Sequence, residues 1–296
     1  MMKLLAHILI FLASIQPLYA AKIQSLQEPL HIDVEVQVVE LQISVVDRSN
    51  NFLTDLAPED FVVHENGIPQ TVLDVELHRQ PFSIGIVIDT SSSMQSQFLR
   101  IGRAAKDFVR SLRSADEFFV LTFDDRIRLT HEMQTASTAV LPDFLSLDYG
   151  RQTKLYEGLI SGLAHLKESH HPQRAIFLIS DGMNSLGKYD CSDVIRTAQQ
   201  NKTLIYSLIL QKDDLDFNVM YRLAEETGGT HFVLDTDFPR LKAAYEKIAS
   251  DLAHRITLYY QSKSDYTKEK KPLIQIKTKN PAYKVRFQKA FYFPEE

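Results

Sequence analysis

Cysteine is almost absent. Cys191 is the only one in 296 residues, so no intrachain disulfide can form. Its place just ahead of a helical pattern marks it as core filler, with a reactive thiol as the lesser alternative. Tryptophan is missing altogether, and the bulky apolar mass comes from 17 Phe and 12 Tyr. There is no surplus of positive charge: 33 Lys and Arg face 38 Asp and Glu, a formal net charge of −5. That balance argues against a nucleic-acid partner for the whole protein. The chain also lacks the glycine signatures of nucleotide chemistry, both Gly-x-x-x-x-Gly-Lys-Ser/Thr and Gly-x-Gly-x-x-Gly. A serine hydrolase would want Gly-x-Ser-x-Gly, and the stretch Gly182 to Gly187 has the wrong spacing. His165, in the helix ending near Lys167, and His170 and His171, ahead of Pro172, have no acid or cysteine at zinc-site spacing and read as solvent-exposed histidines.

Long apolar runs are scarce too. Leu4 to Ala13, after Lys3, is the main one, and it is short for a membrane span. With Leu18-Tyr19-Ala20-Ala21 behind it, it reads as an export signal over residues 1–20. The alternative is a retained N-terminal anchor. No transmembrane span is expected in the mature chain. A single cysteine is unremarkable for a bacterial periplasmic domain and unusual for an animal extracellular one, so the expected location is periplasmic or extracellular.

What is present is organised around Ile84-Gly85-Ile86-Val87-Ile88-Asp89-Thr90-Ser91-Ser92-Ser93. A β-branched run long enough for a buried strand ends in an acid and four hydroxyl residues. A helical pattern follows, with Phe98, Ile101, Ala105, Phe108 and Leu112 on one face. Turns from a central strand into a helix are where open α/β sheets bind ligands. Asp89, Ser91 and Ser93 offer oxygen only, which suits hard divalent cations, Mg²⁺ above all. A Ser-rich helix cap accounts for the same residues without any ligand. A haloacid-dehalogenase-like phosphatase would need a second acid where Ser91 stands.

Two further pieces weigh on that choice. Gly150-Arg151-Gln152-Thr153-Lys154-Leu155-Tyr156 sets a threonine before an amphipathic helix carrying Leu155, Leu159, Leu163 and Leu166. Ala175 to Ser180 is a second buried strand, ending at Asp181-Gly182. Together the three pieces resemble the metal-ion-dependent adhesion site of von Willebrand factor type A domains, whose motif is Asp-x-Ser-x-Ser, then a threonine, then an aspartate. Asp89, Ser91, Ser93, Thr153 and Asp181 match it one for one. The family often has Gly-Gly before the threonine; here Arg151 and Gln152 stand there, with Gly150 nearby. The resemblance implies a divalent cation, Mg²⁺ with Mn²⁺ and Ca²⁺ as alternatives. It also implies a protein partner whose Asp or Glu completes the coordination.

Around this centre the hydrophobic period changes twice. Residues 21–30 read as a linker. Residues 31–80 alternate with period two and hold the hairpin signal Asn66-Gly67. The alternation flips phase at Val38-Val39, as a bulge or a strand that changes sheets would make it do. Residues 82–254 alternate strand and helix, the pattern of a Rossmann-like, doubly wound, mostly parallel sheet. A short piece at Arg126–Thr130 is expected as an antiparallel edge. From Arg255 the period returns to two, in a basic stretch read as solvent faces and guarded edges. Residues 31–80 and 255–296 are each small, so they are expected to pack together as one β-sandwich-like domain with 82–254 inserted. The whole also resembles secreted bacterial proteins related to the von Willebrand factor A kind, through Pro58 to Gly67 ahead of the central unit and Tyr283 to Arg286 with Phe291-Tyr292 behind it. The expected function is an exported, non-enzymatic, metal-dependent protein-binding module. The alternatives are a metal-dependent hydrolase using the same site, for which no clear general base is visible, and an envelope scaffold binding through its β domain.

Overall fold

The computed structural model describes residues 37–77, 80–138, 149–185, 187–210, 217–234, 238–264 and 272–288. The export signal, the linker, Ile32 to Val36, several lysines of the basic stretch and Phe291-Tyr292 lie outside them.

Six strands form the central sheet: β4 (Phe82–Asp89), β5 (Glu117–Phe123), β6 (Ile127–Thr135), β7 (Gln173–Ser180), β8 (Thr203–Leu210) and β9 (His231–Leu234). Their order is β6-β5-β4-β7-β8-β9. All neighbours run parallel except β6, which pairs antiparallel with β5 at the edge. Five helices cover it: α1 (Phe98–Ser111), α2 (Leu155–Lys167), α3 (Cys191–Gln200), α4 (Phe217–Thr227) and α5 (Phe238–Ala253). The sheet is buried on both faces, which is why β4 reads as a continuous apolar run rather than an alternating one. Ile84, Ile86 and Ile88 pack with Ile101 and Phe108 of α1 and with Tyr245 and Ile248 of α5. On the other face Val87 meets Leu155, Leu159 and Leu163 of α2. Gly85 leaves room there for the Phe119 ring, since a Cβ at that position would sit 2.5 Å from Phe119 Cζ. Cys191 is buried at the start of α3, which Asp190 and Asp193 cap reciprocally.

The six flanking strands are β1 (Gln37–Val46), β2 (Phe61–Glu65), β3 (Ile68–Leu77), β10 (Ile256–Ser262), β11 (Ile274–Thr278) and β12 (Lys284–Phe287). They make a second sheet, ordered β11-β2-β3-β10-β1-β12. Strands from before and after the α/β unit are therefore interleaved. Leu41, Ile43, Val63, Leu258, Tyr260 and Ile276 share one core, and Thr278 Oγ1 donates to Tyr283 O at 3.4 Å, drawing the two ends of the sheet together. Asn66 and Gly67 turn the β2–β3 hairpin with φ of 51° and 78°, the left-handed pair that a two-residue turn requires. The pairing of β1 with β10 runs in unbroken register from Gln37 to Ile43, so the described part of β1 holds no bulge; Val39, Leu41, Ile43 and Val45 face inward.

Two readings of single residues need correction. Arg255, counted among the solvent-facing basic residues, is fully buried and pairs with Asp251 at 3.3 Å. His165 lies in its helix as expected, but it is half-buried rather than solvent-facing, and its ring meets Phe119 edge-on at 4.5 Å. Among the described residues no helix is long and apolar enough to cross a membrane.

Candidate functional site

Strand order reverses at β4, whose neighbours are β5 on one side and β7 on the other. The crevice beyond the carboxyl ends of β4 and β7 is where such sheets take ligands. Asp89 is the last residue of β4, and Asp181 follows the last residue of β7. The in-register pair Ile88 and Ile179 brings the two chain ends side by side.

From there the site assembles through hydrogen bonds. Asp89 Oδ1 accepts from the Ser91 backbone N–H at 2.9 Å, and Asp89 Oδ2 accepts from Ser180 Oγ at 2.7 Å. The Ser91 and Ser93 hydroxyls lie 3.0 Å apart. Ser93 Oγ donates to Asp181 Oδ2 at 2.6 Å, and Asp181 Oδ1 accepts from Met183 N at 3.1 Å. Gly182, at φ 84°, lets the chain turn back so that its N–H reaches Ser180 Oγ at 3.0 Å. The helix-cap alternative for the serines does not match this geometry. Ser91 stands at the N-cap of a 3-10 turn over Ser92–Gln97, yet its side chain caps nothing and turns to Ser93.

Thr153 joins through its backbone. Its N–H donates to Ser185 Oγ at 2.8 Å, and its carbonyl accepts from Ser185 N at 2.9 Å. Asn184 Oδ1 accepts from Leu155 N at 2.9 Å, tying the same loop to the start of α2. The Thr153 hydroxyl has no hydrogen-bond partner among the described residues. So Asp89, Ser91, Ser93 and Asp181 form one connected cluster, and Thr153 is fixed to the loop that follows Asp181.

Gly150 ties the Thr153 loop to the turn after β4. It bridges to Ser91 as a single parallel pair, and its N–H donates to Thr90 O at 3.2 Å. A Cβ there would lie 2.0 Å from Asp125 Oδ1 and 2.7 Å from Asp124 Cγ. Asp124 is fully buried and accepts from Arg128 at 2.9 Å, from Arg126 N at 2.7 Å and from Thr90 Oγ1 at 3.3 Å. Burial pushes its carboxyl up, but the hydrogen bonds from Arg128 and Arg126 prevail and hold it below the usual range. The roles of Ser180, Asn184 and Ser185 went unnoticed in the sequence. Their one available signal was position, next to a strand-end acid or three and four residues beyond it.

Asp89 is 0% exposed and Asp181 is 6% exposed, and no Lys or Arg among the described residues pairs with either. Burial pushes the Asp89 carboxyl up to about 7; hydrogen bonds from Ser91 and Ser180 oppose this, and the nearby Asp181 adds to it. Among the described residues no three His, Cys, Asp or Glu side chains converge, so the donor set is two carboxylates plus hydroxyls. Two adjacent buried acids with all-oxygen neighbours fit a hard divalent cation, which would offset their repulsion. A soft or nitrogen-seeking metal has nothing to bind here.

Solved structures share this architecture. Proximal thread matrix protein 1 from the mussel byssus superposes with a TM-score of 0.53 at 16% identity, over 64% of this chain and 50% of its own. This chain thus spans half the length of that protein. A von Willebrand factor type A protein from Catenulispora acidiphila gives a TM-score of 0.53 at 11% identity, over 89% of this chain and 75% of its own. At such identities the likeness concerns the fold alone. No curated protein sequence matches the chain. The sequence pattern of the von Willebrand factor type A domain matches residues 83–247, more than half of the chain and all three pieces of the site. The chain belongs to the von Willebrand factor type A domain family.

Proposed function

We propose that the protein is an exported module that binds a protein partner through a divalent cation, without catalysing a reaction. Asp89, Ser91, Ser93, Thr153 and Asp181 would hold the ion, with Mg²⁺ the first choice. Bound there, the ion would offer a Lewis-acidic position to an Asp or Glu of the partner. The observation that carries the reading is the unbroken run Asp89–Ser91–Ser93–Asp181, built from oxygen atoms at the switch point of the sheet.

The residues around the cluster would act as its frame. Ser180 orients Asp89 by donating to Oδ2, leaving Oδ1 on the Ser91 side. Ser185 and Asn184 hold the backbone of Thr153 and Leu155, so the threonine hydroxyl stays beside the loop that carries Asp181. Gly150 keeps the Thr153 loop against Asp124 and Asp125.

Calorimetry with Mg²⁺ on the full chain tests the assignment. One ion per chain is expected, with affinity reduced roughly 100-fold or more in Asp89→Ala and by about tenfold in Thr153→Ala. Equal Mg²⁺ affinity in wild type and Asp89→Ala would remove the site from consideration.

A further inference from the structure

Helix α2 begins without a cap of its own. The first N–H groups of a helix have no partner inside it, and a side chain at the N-cap ordinarily serves one of them. Lys154 stands at the N-cap of α2, and its side chain caps nothing. The loop that follows Asp181 supplies the caps instead. Ser185 Oγ accepts from Thr153 N at 2.8 Å, and Asn184 Oδ1 accepts from Leu155 N at 2.9 Å. The helix answers with Glu157, an acid in its first turn, whose Oε1 accepts from the Lys188 N–H of the same loop at 2.5 Å. In a capping box the two halves of such an exchange lie on one stretch of chain. Here they join stretches 29 to 32 positions apart, one carrying Thr153 and the other Asp181.

Three details single out Glu157. Gly187, at φ 144°, lets the backbone pass close to its carboxyl group: a Cβ there would lie 2.1 Å from both carboxylate oxygens. Oε2 is buried with no hydrogen-bond partner among the described residues, a cost that a solvated glutamate would not carry. And Glu157 meets the backbone of Lys188, whose ammonium lies over the Tyr189 ring at 4.7 Å.

We propose that Glu157 is a positioning residue for the metal: by holding the Lys188 N–H it fixes the loop after Asp181 to the start of α2, and so sets the spacing between Asp181 and Thr153. The inference rests on the metal reading above and adds to it a residue outside the five proposed ligands. The physical argument is preorganisation. A small divalent ion demands its ligands at fixed distances, and a loop about 1 Å too loose would hold Asp181 and the Thr153 hydroxyl in place only part of the time. Asn184 and Ser185 are both exposed, so water competes for their bonds. Glu157 ties the loop down again at Lys188, three residues beyond Ser185, with a bond from a carboxylate.

Mg²⁺ calorimetry on the full chain, with amide hydrogen exchange on the metal-free protein, tests this in wild type, Glu157→Ala and Glu157→Gln. Glutamine keeps the accepting oxygen and drops the charge. Glu157→Ala is expected to lower Mg²⁺ affinity roughly three- to tenfold, the range one hydrogen bond supplies, while Glu157→Gln stays within about twofold of wild type. The Lys188 and Thr153 amides should exchange faster in Glu157→Ala and as in wild type in Glu157→Gln. Wild-type affinity or unchanged amide exchange in Glu157→Ala would overturn the positioning role and leave the metal site standing. An equal loss of affinity in both variants would overturn it too, because the charge and not the bond would then be the cause. Failure of wild type to bind Mg²⁺ at all would overturn the metal reading and this role together.

Discussion

Ser93 Oγ donates a 2.6 Å hydrogen bond to Asp181 Oδ2 across 88 positions of sequence. The bond joins the turn after β4 to the end of β7, and it exists because those strands are parallel neighbours. A hydroxyl placed after one strand thus answers a carboxylate placed after another. The frame that holds this pair can be disturbed without touching either residue.

Gly150 is the first such point. A methyl group there would meet Asp125 Oδ1 at 2.0 Å and Asp124 at 2.7 Å, and Asp124 is fixed by Arg128. The loop must therefore move away from Ser91. Gly150→Ala is expected to cost about 1–3 kcal/mol of stability, as overpacking does. Mg²⁺ affinity should fall with it, because Thr153 lies three residues on. Chemical denaturation and calorimetry on the same sample check both.

Much of this was legible in sequence. β4, β7 and their terminal acids stand out because a parallel sheet buried on both faces leaves uninterrupted apolar runs, and the polar residue ending each run is conspicuous. The helices flanking them follow from the spacing of Leu155, Leu159 and Leu163. Ser180 and Arg255 were hidden for a common reason. Each owes its role to a contact made by folding: Ser180 to Asp89 across paired strands, Arg255 to Tyr206 and Gly228. Residue type and local period carry none of that. A buried arginine at the start of a basic stretch looks the same as an exposed one.

Glu117 gives a pH-dependent prediction away from the site. Burial pushes its carboxyl up, but hydrogen bonds from Ser83 Oγ at 2.5 Å and from His170 outweigh this and leave it below its ordinary value of 4.5. A carboxyl with a depressed folded value contributes stability that is fully present above the unfolded value and is lost as pH falls through the folded one. Wild type should therefore lose stability below about pH 4.5 more steeply than Glu117→Gln, which should already be the less stable at pH 7. Urea denaturation of both proteins across this range measures the difference in slope.

Arg255 is the second buried anchor. Its guanidinium reaches Asp251 Oδ2 at 3.3 Å, Gly228 O at 3.4 Å and, across to the flanking sheet, Gln42 O at 3.3 Å. Asp251 Oδ2 also accepts from Tyr206 OH at 2.5 Å, and burial pushes the Tyr206 phenol well above its usual value. Removing one member leaves a buried charge alone. Arg255→Ala is expected to destabilise by roughly 3–5 kcal/mol, while Arg255→Met with Asp251→Leu should recover a good part of that loss. Denaturation midpoints of the three proteins decide it; a double variant no better than the single one would count against the ion pair as the cause.

The interleaved flanking sheet leads to the last prediction, that residues 82–254 form an autonomous insert between two halves of one β domain. β1 has β10 and β12 as its neighbours, and β2 lies between β11 and β3. Of the strands before the insert, only β2 and β3 pair with each other. A fragment ending at residue 80 therefore keeps one hairpin and leaves β1 without a neighbour, too little to be stable in water. It should be unfolded alone and gain structure when 255–296 is supplied. The fragment 82–254 keeps all six strands of the central sheet and both cores against it, so it should fold and bind Mg²⁺. It should also be less stable than the full chain, because Asp251 then lacks Arg255. A cooperative melt and dispersed amide spectrum from residues 31–80 alone would contradict the insertion, and the protein would be three domains in a row.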